Sequence, residues 1–242
     1  MNYKDVIVEE YIENYKEQHR IFYHTLSSKI FDMSFLKACV DLQDRELCSD
    51  WITIKFLHRD LFENLLSKLY RCFFDNSGND STNIFLFKNK VLSFYLKEEY
   101  RQEVRETVKL LSISSYEYKP LIDRLEKNVV GLRNGFIGHR LLNAPEECEV
   151  DLNDIRKLVE SACALLQALS FETRDFYSFV EGDGYDFSKE FAYTESSTRK
   201  FIAHTFLTSE YITKVNCDFD EDCPKNVKGR LESIIQIINT NR

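Results

Sequence analysis

Ile155–Leu169, I-R-K-L-V-E-S-A-C-A-L-L-Q-A-L, places Ile155, Leu158, Val159, Ala162, Leu165, Leu166 and Leu169 at offsets of 0, 3, 4, 7, 10, 11 and 14. This spacing follows the helical period and gathers the apolar side chains on one stripe, so the stretch predicts a core helix. The rest of the chain agrees with helices. Three prolines and seven glycines in 242 residues leave few breakers, which favours long helices over a many-stranded sheet. The fold class expected is all-α.

Working outward, Pro120 suits the first turn of a helix that fades near Asn143–Pro145. Residues 98–112 mix Glu and Arg with Val104, Val108 and Leu111, predicting an amphipathic helix with Arg101 and Arg105 beside Glu98 and Glu106. The run I-F-L-F-K-N-K-V-L-S-F-Y-L at 84–96 is nearly continuous in apolar residues, so it is ambiguous between helix and strand and is read as mostly helical. D-N-S-G-N-D-S-T at 75–82 is the clearest loop. Before it, Leu57, Leu61, Leu65 and Leu69 align at every fourth position of a helix from Trp51 to about Phe74, with Ser49 or Asp50 as its cap. Residues 2–18 and 20–42 read as two further helices, carrying Ile7 and Tyr11, then Phe22, Leu26, Ile30 and Met33.

Downstream of the core helix, E-G-D-G-Y-D at 181–186 marks a turn, followed by helices at about 196–214 and 224–239. The domain organisation expected is a helical core over 1–178 and a C-terminal helical extension over 179–242. No repeat or low-complexity tract appears.

No run of 18 apolar residues occurs, and the start M-N-Y-K-D-V-I-V-E-E lacks a signal peptide, so a cytoplasmic protein is expected. The seven cysteines, at 39, 48, 72, 148, 163, 217 and 223, are odd in number and include no C-x-x-C pair; they read as reduced thiols, with neither a metal nor another cofactor expected. The acidic D-F-D-E-D at 218–222 is not a calcium loop, because Cys223 and Gly229 stand where a glycine and a glutamate are required.

The net charge of −8 argues against a nucleic-acid partner, whose phosphates must be neutralised. Local charge runs the other way. Between Lys119 and Arg140, Lys119, Arg124, Lys127, Arg133 and Arg140 face only Asp123 and Glu126, forming either a basic stripe or an ordinary solvated face.

Within that segment stands L-R-N-G-F-I-G-H-R, Leu132–Arg140. Histidine titrates near neutrality and can move a proton, while arginine holds a permanent charge on a fork suited to phosphate. Asn134 can hold a phosphate oxygen or orient the imidazole. Metal-free RNA cleavage needs such groups: a base for the 2′-hydroxyl, an acid for the leaving 5′-oxygen, and fixed positive charge for the transition state. Gly131, Gly135 and Gly138 fall within about 60 degrees of one another on an ideal helix, which suits close packing or a bend; the alternative is a broken helix.

The pattern Arg133, Asn134, four residues, His139 resembles the R-x(4–6)-H motif of the HEPN superfamily, and Arg140 makes it most similar to the abortive-infection (AbiU-type) branch. The order of elements over about 20–175, including L-S-K-L-Y-R-C-F-F-D, is similar as well. The resemblance implies a helical bundle acting as a homodimer, and a metal-independent endoribonuclease of toxin–antitoxin or phage-defence type that leaves a 2′,3′-cyclic phosphate. It assigns catalysis to Arg133, Asn134 and His139, and RNA binding to Arg140, Lys127 and Arg124. Its partners would be tRNA or mRNA and a cognate antitoxin. On an ideal helix Arg133 and His139 lie about 120 degrees apart, so one phosphate does not easily touch both. A composite cleft between two protomers, as the family builds, removes that difficulty. Gly138 and Leu141–Leu142 depart from the alanine and aspartate common in the family.

A second match to the spacing, Arg199 and His204, carries Lys200 where the family prefers Asn, Asp or His. Other readings are a non-catalytic HEPN-like module that binds RNA, a nucleotide or a protein, and a helical protein outside that superfamily. His139 could be an ordinary surface or core histidine, and Arg133 an ion-pair partner of Glu126. His19, His24 and His58 have no companions that suggest a site.

Overall fold

The computed structural model describes residues 2–43, 51–75, 83–132, 150–171, 187 and 189–201. The described residues form α1 (Tyr3–Val6), α2 (Ile12–Gln43), α3 (Trp51–Leu69), α4 (Ile84–Lys90), α5 (Glu98–Lys109), α6 (Lys119–Leu132) and α7 (Leu152–Ala168), joined by short 3₁₀ and π turns. Residues 189–201 are helical too. The protein is all-α: among the described residues there is no strand, only an isolated antiparallel bridge between Ile7 and Leu96. Among the same residues, no helix is long and apolar enough to cross a membrane.

The chain divides into two compact units, one of residues 1–29 and 63–187, the other of residues 30–62 and 188–242. The expected boundary at 178/179 lies outside the described residues, as do the turn at 181–186 and the helix at 224–239.

In the first unit, α7 is the element around which the core is built. Asp151 caps it by accepting from the Asn153 amide, and all seven positions of the apolar stripe from Ile155 to Leu169 are buried. Helices α5 and α6 both pack on α7; Val104 and Val108 of α5 and Leu125 and Val129 of α6 are buried. Helix α6 also packs on the π-helical turn Tyr70–Phe74, which buries Cys72, Phe73 and Phe74. Ser161, buried on α7, donates to the Tyr118 hydroxyl at 2.8 Å and shares a 3.1 Å hydrogen bond with Ser112. These hydroxyls tie the turns between α5 and α6 to α7.

The ambiguous run at 84–96 is helical. Asn83 starts α4: its Oδ1 accepts from the Phe85 and Leu86 amides, while its Nδ2 donates to the Phe73 carbonyl at 3.0 Å and the Asp75 carbonyl at 3.3 Å. The helix then widens into a π turn over Val91–Tyr95, which ends where Leu96 enters its bridge with Ile7. That bridge corrects the expected helix over 2–18. The chain is extended at Ile7 and Val8 because the Val8 amide donates to the Tyr95 carbonyl and the Lys97 amide donates to the Val6 carbonyl. Helix α2 begins only at Ile12, and it runs through His19, where a break between two helices was expected.

In the second unit, Ile30, Met33, Phe35, Leu36, Ala38 and Cys39 of α2 are buried. Residues 189–201 are helical from well before the expected start at 196. Phe191 and Thr198 are buried there, Phe35 packs against Phe201 at 6.3 Å between ring centroids, and Lys37 pairs with Glu195 at 3.7 Å. Expected helical residues 202–214 lie outside the described residues.

Candidate functional site

Helix α6 leads into the motif, and its sequence explains why it forms. Lys119 and Pro120 open its first turn, where the missing amide of proline costs nothing. Leu125 and Val129 then lie one turn apart on the buried face, which leaves Arg124 and Lys127 exposed. The described part of the helix extends to Leu132. Arg133, Asn134, His139 and Arg140 lie outside the described residues, as do Gly135 and Gly138. In sequence they follow directly on Leu132.

The cations of α6 are not equivalent. Lys119 Nζ donates to both carboxylate oxygens of Asp123, at 2.9 and 3.0 Å, and this hydrogen-bonded pairing raises the lysine pKa. Arg124 pairs with Asp154 in the first turn of α7, although its side chain remains 59% exposed. Asp154 is also approached by Lys157 at 3.5 Å, so one carboxylate serves two cations. Lys127 makes no ion pair with another described residue. Of the residues expected to bind RNA, Arg124 is therefore committed in part to joining α6 and α7, while Lys127 presents its charge to solvent. Such exposed pairs contribute at most about 1 kcal/mol, and Arg124 would give up that contribution on leaving Asp154 for another anion.

The second spacing match is split. Arg199 is on the helix at 189–201, with Lys200 exposed beside it, and His204 lies outside the described residues.

The histidines without companions in the sequence acquire neighbours in the fold. His58 stacks on Phe62 at 6.4 Å, and burial lowers its pKa. His24 lies edge-on to Tyr23. His19 is buried, and its Nε2 shares a 2.7 Å hydrogen bond with Ser170 Oγ, which in turn donates to the Leu166 carbonyl at 2.6 Å. Burial pushes the imidazole down to about 4, against a smaller opposing effect from the Leu166 carbonyl. It is thus a neutral core histidine. No sequence signal could have joined His19 to Ser170, because the partners stand 151 residues apart. Asn83 was closer to being readable, since an asparagine directly before an apolar run is a helix start signal.

No protein-family model, curated protein or solved structure matches the chain.

Proposed function

We propose that the protein is a metal-independent endoribonuclease of the HEPN type, acting as a homodimer in toxin–antitoxin or phage-defence biology. The observation that supports this reading is the sequence R-N-x4-H, Arg133, Asn134 and His139, which follows Leu132 of the amphipathic helix α6 in a chain whose described residues are all-α. His139 takes the proton of the RNA 2′-hydroxyl or delivers one to the departing 5′-oxygen. Arg133 stabilises the negative charge that builds on the phosphate, Asn134 positions a phosphate oxygen, and Arg140, Lys127 and Arg124 hold the RNA backbone. Two protomers supply the two proton-transfer roles from a shared cleft. The products are a 2′,3′-cyclic phosphate and a 5′-hydroxyl, from tRNA or mRNA.

A second reading is a HEPN-like module that binds RNA, a nucleotide or a protein without turnover. It is favoured by the net charge of −8 and by the carboxylates that already engage Lys119 and Arg124.

The test incubates wild type and His139→Ala with total tRNA and mRNA in excess EDTA and maps the ends. Cleavage by wild type alone, leaving cyclic phosphate, supports the enzyme. Equal cleavage by both proteins refutes the role of His139, and binding without cleavage favours the second reading.

A further inference from the structure

Lys29 of α2 and Cys72, in the π-helical turn that follows α3, are both completely buried, and the cysteine is a free thiol. Lysine is almost never buried to this extent unless its charged end is met, because taking an ammonium out of water costs more than packing its methylenes returns. Two sets of contacts bring the pair together. Lys68 Nζ donates to Ser28 Oγ at 2.7 Å, which sets the last turn of α3 against α2 one residue before Lys29. Lys29 reaches the other way: among its contacts, Nζ donates to the Thr25 carbonyl at 3.2 Å, one turn back on α2, and to the Cys72 side chain. All of these residues belong to the first unit. Burial pushes the Cys72 thiol up, against the opposing pull of the Lys29 charge and hydrogen bond, so at rest the sulfur is protonated and shielded from bulky thiols.

We propose that Lys29 and Cys72 form a covalent redox site, at which hydrogen peroxide converts their contact into a nitrogen–sulfur bond joining α2 to the turn after α3. The oxidant is little larger than water and enters through local opening of the helix end. In the first step the peroxide O–O bond breaks and an S–O bond forms, which turns the thiol into a sulfenic acid and releases water. In the second, the Lys29 ammonium passes one proton to solvent and its nitrogen attacks the sulfur. The S–N bond forms, the S–O bond breaks, and the hydroxyl leaves as water with a second proton from the nitrogen. Sulfur is oxidised by two electrons, and the peroxide is reduced to water.

Proximity decides which reaction follows the sulfenic acid. The Lys29 nitrogen already touches the sulfur, whereas a second peroxide must enter the core before it can carry the sulfur on to a sulfinic acid. Neither residue belongs to the candidate RNA site, so the cross-link stands whether or not the chain cleaves RNA.

The test treats the full chain with hydrogen peroxide, stops the reaction with catalase, alkylates remaining thiols without reductant, and maps tryptic peptides by mass. The expected result is a peptide containing Lys29 joined to the one containing Cys72, lighter than their sum by two hydrogens, with no cleavage after Lys29 and full reversal by dithiothreitol. Lys29→Arg loses the joined peptide and accumulates sulfinic acid at Cys72 instead. Three results in wild type overturn the proposal: Cys72 reaches sulfinic acid while trypsin still cuts after Lys29, Cys72 pairs with another cysteine, or Cys72 remains a thiol after prolonged treatment. Should Lys29→Arg fail to fold, the wild-type peptide map decides alone, since each of these products has its own mass.

Discussion

Asn83 lends itself to a substitution pair whose outcomes separate two roles. Its side chain is 1% exposed and makes hydrogen bonds from both ends: Oδ1 accepts from the first turn of α4, and Nδ2 donates to the Phe73 and Asp75 carbonyls. Asn83→Ala removes a cap worth about 1 kcal/mol and takes a donor from two carbonyls, at about 1 kcal/mol each, so a loss of about 3 kcal/mol is expected. Asn83→Asp is the informative variant, because aspartate caps helices as well as asparagine does. If capping were the whole role, this variant would be neutral. With a carboxylate brought against two carbonyl oxygens in a buried place, it loses at least as much as alanine instead. Burial also raises the carboxyl pKa of the variant, so its deficit relative to wild type shrinks on acidification, when the protonated acid regains a donor. Urea denaturation at pH 7 and pH 5, followed by circular dichroism, measures both effects. An Asn83→Asp protein within 0.5 kcal/mol of wild type at pH 7, a margin taken as about the spread of neutral surface changes, refutes the donor role.

The remaining predictions concern the core, its charge state and the candidate site. Leu165→Ala deletes a fully buried side chain from the α7 stripe and costs about 2–5 kcal/mol in urea denaturation, whereas Leu110→Ala, at a position 87% exposed, stays within about 0.5 kcal/mol. The unfolded chain binds a proton at His19 more readily than the folded one, so the contribution of this residue is complete above about pH 6.5 and is lost as pH falls toward 4. Up to about 3 kcal/mol disappears over that window, and His19→Gln flattens the pH dependence of stability by that amount. If the proposed ribonuclease reading holds, His139→Ala abolishes chelator-resistant RNA cleavage while the circular dichroism spectrum stays that of wild type.

Much of the fold was readable where structure is decided locally. The stripe from Ile155 to Leu169 is buried at every position the periodicity marked, and Pro120 lies in the first turn of α6 as its fixed φ suggests. The expected pairing of Arg101 with Glu98 is present, but Arg105 donates to the Leu92 carbonyl at 3.4 Å, and Glu106 accepts from Gln102. Those two partners show the limit of counting along one helix, since a carbonyl on a neighbouring turn competes with any carboxylate at the favoured spacing. The same limit explains Ile7 and Val8. Nothing nearby in sequence stops a helix there, and the interruption comes from Tyr95, Leu96 and Lys97, nearly ninety residues on.

Charge at the candidate site follows the same logic. Counting residues between Lys119 and Arg140 finds a basic stripe, but the carboxylate that meets Arg124 belongs to Asp154, thirty residues away and outside that count. A stripe inferred from one segment therefore overstates the charge available to a phosphate wherever a neighbouring helix brings an acid alongside. Lys127 escapes this discount among the described residues, and it stands six residues before Arg133. If RNA is held along α6, Lys127→Ala weakens binding and lowers its salt dependence more than Arg124→Ala does, because Arg124 must first leave Asp154 to meet a phosphate. The reverse order, measured by RNA binding at several salt concentrations, would show that the RNA path follows the α6–α7 edge instead of the exposed face of α6.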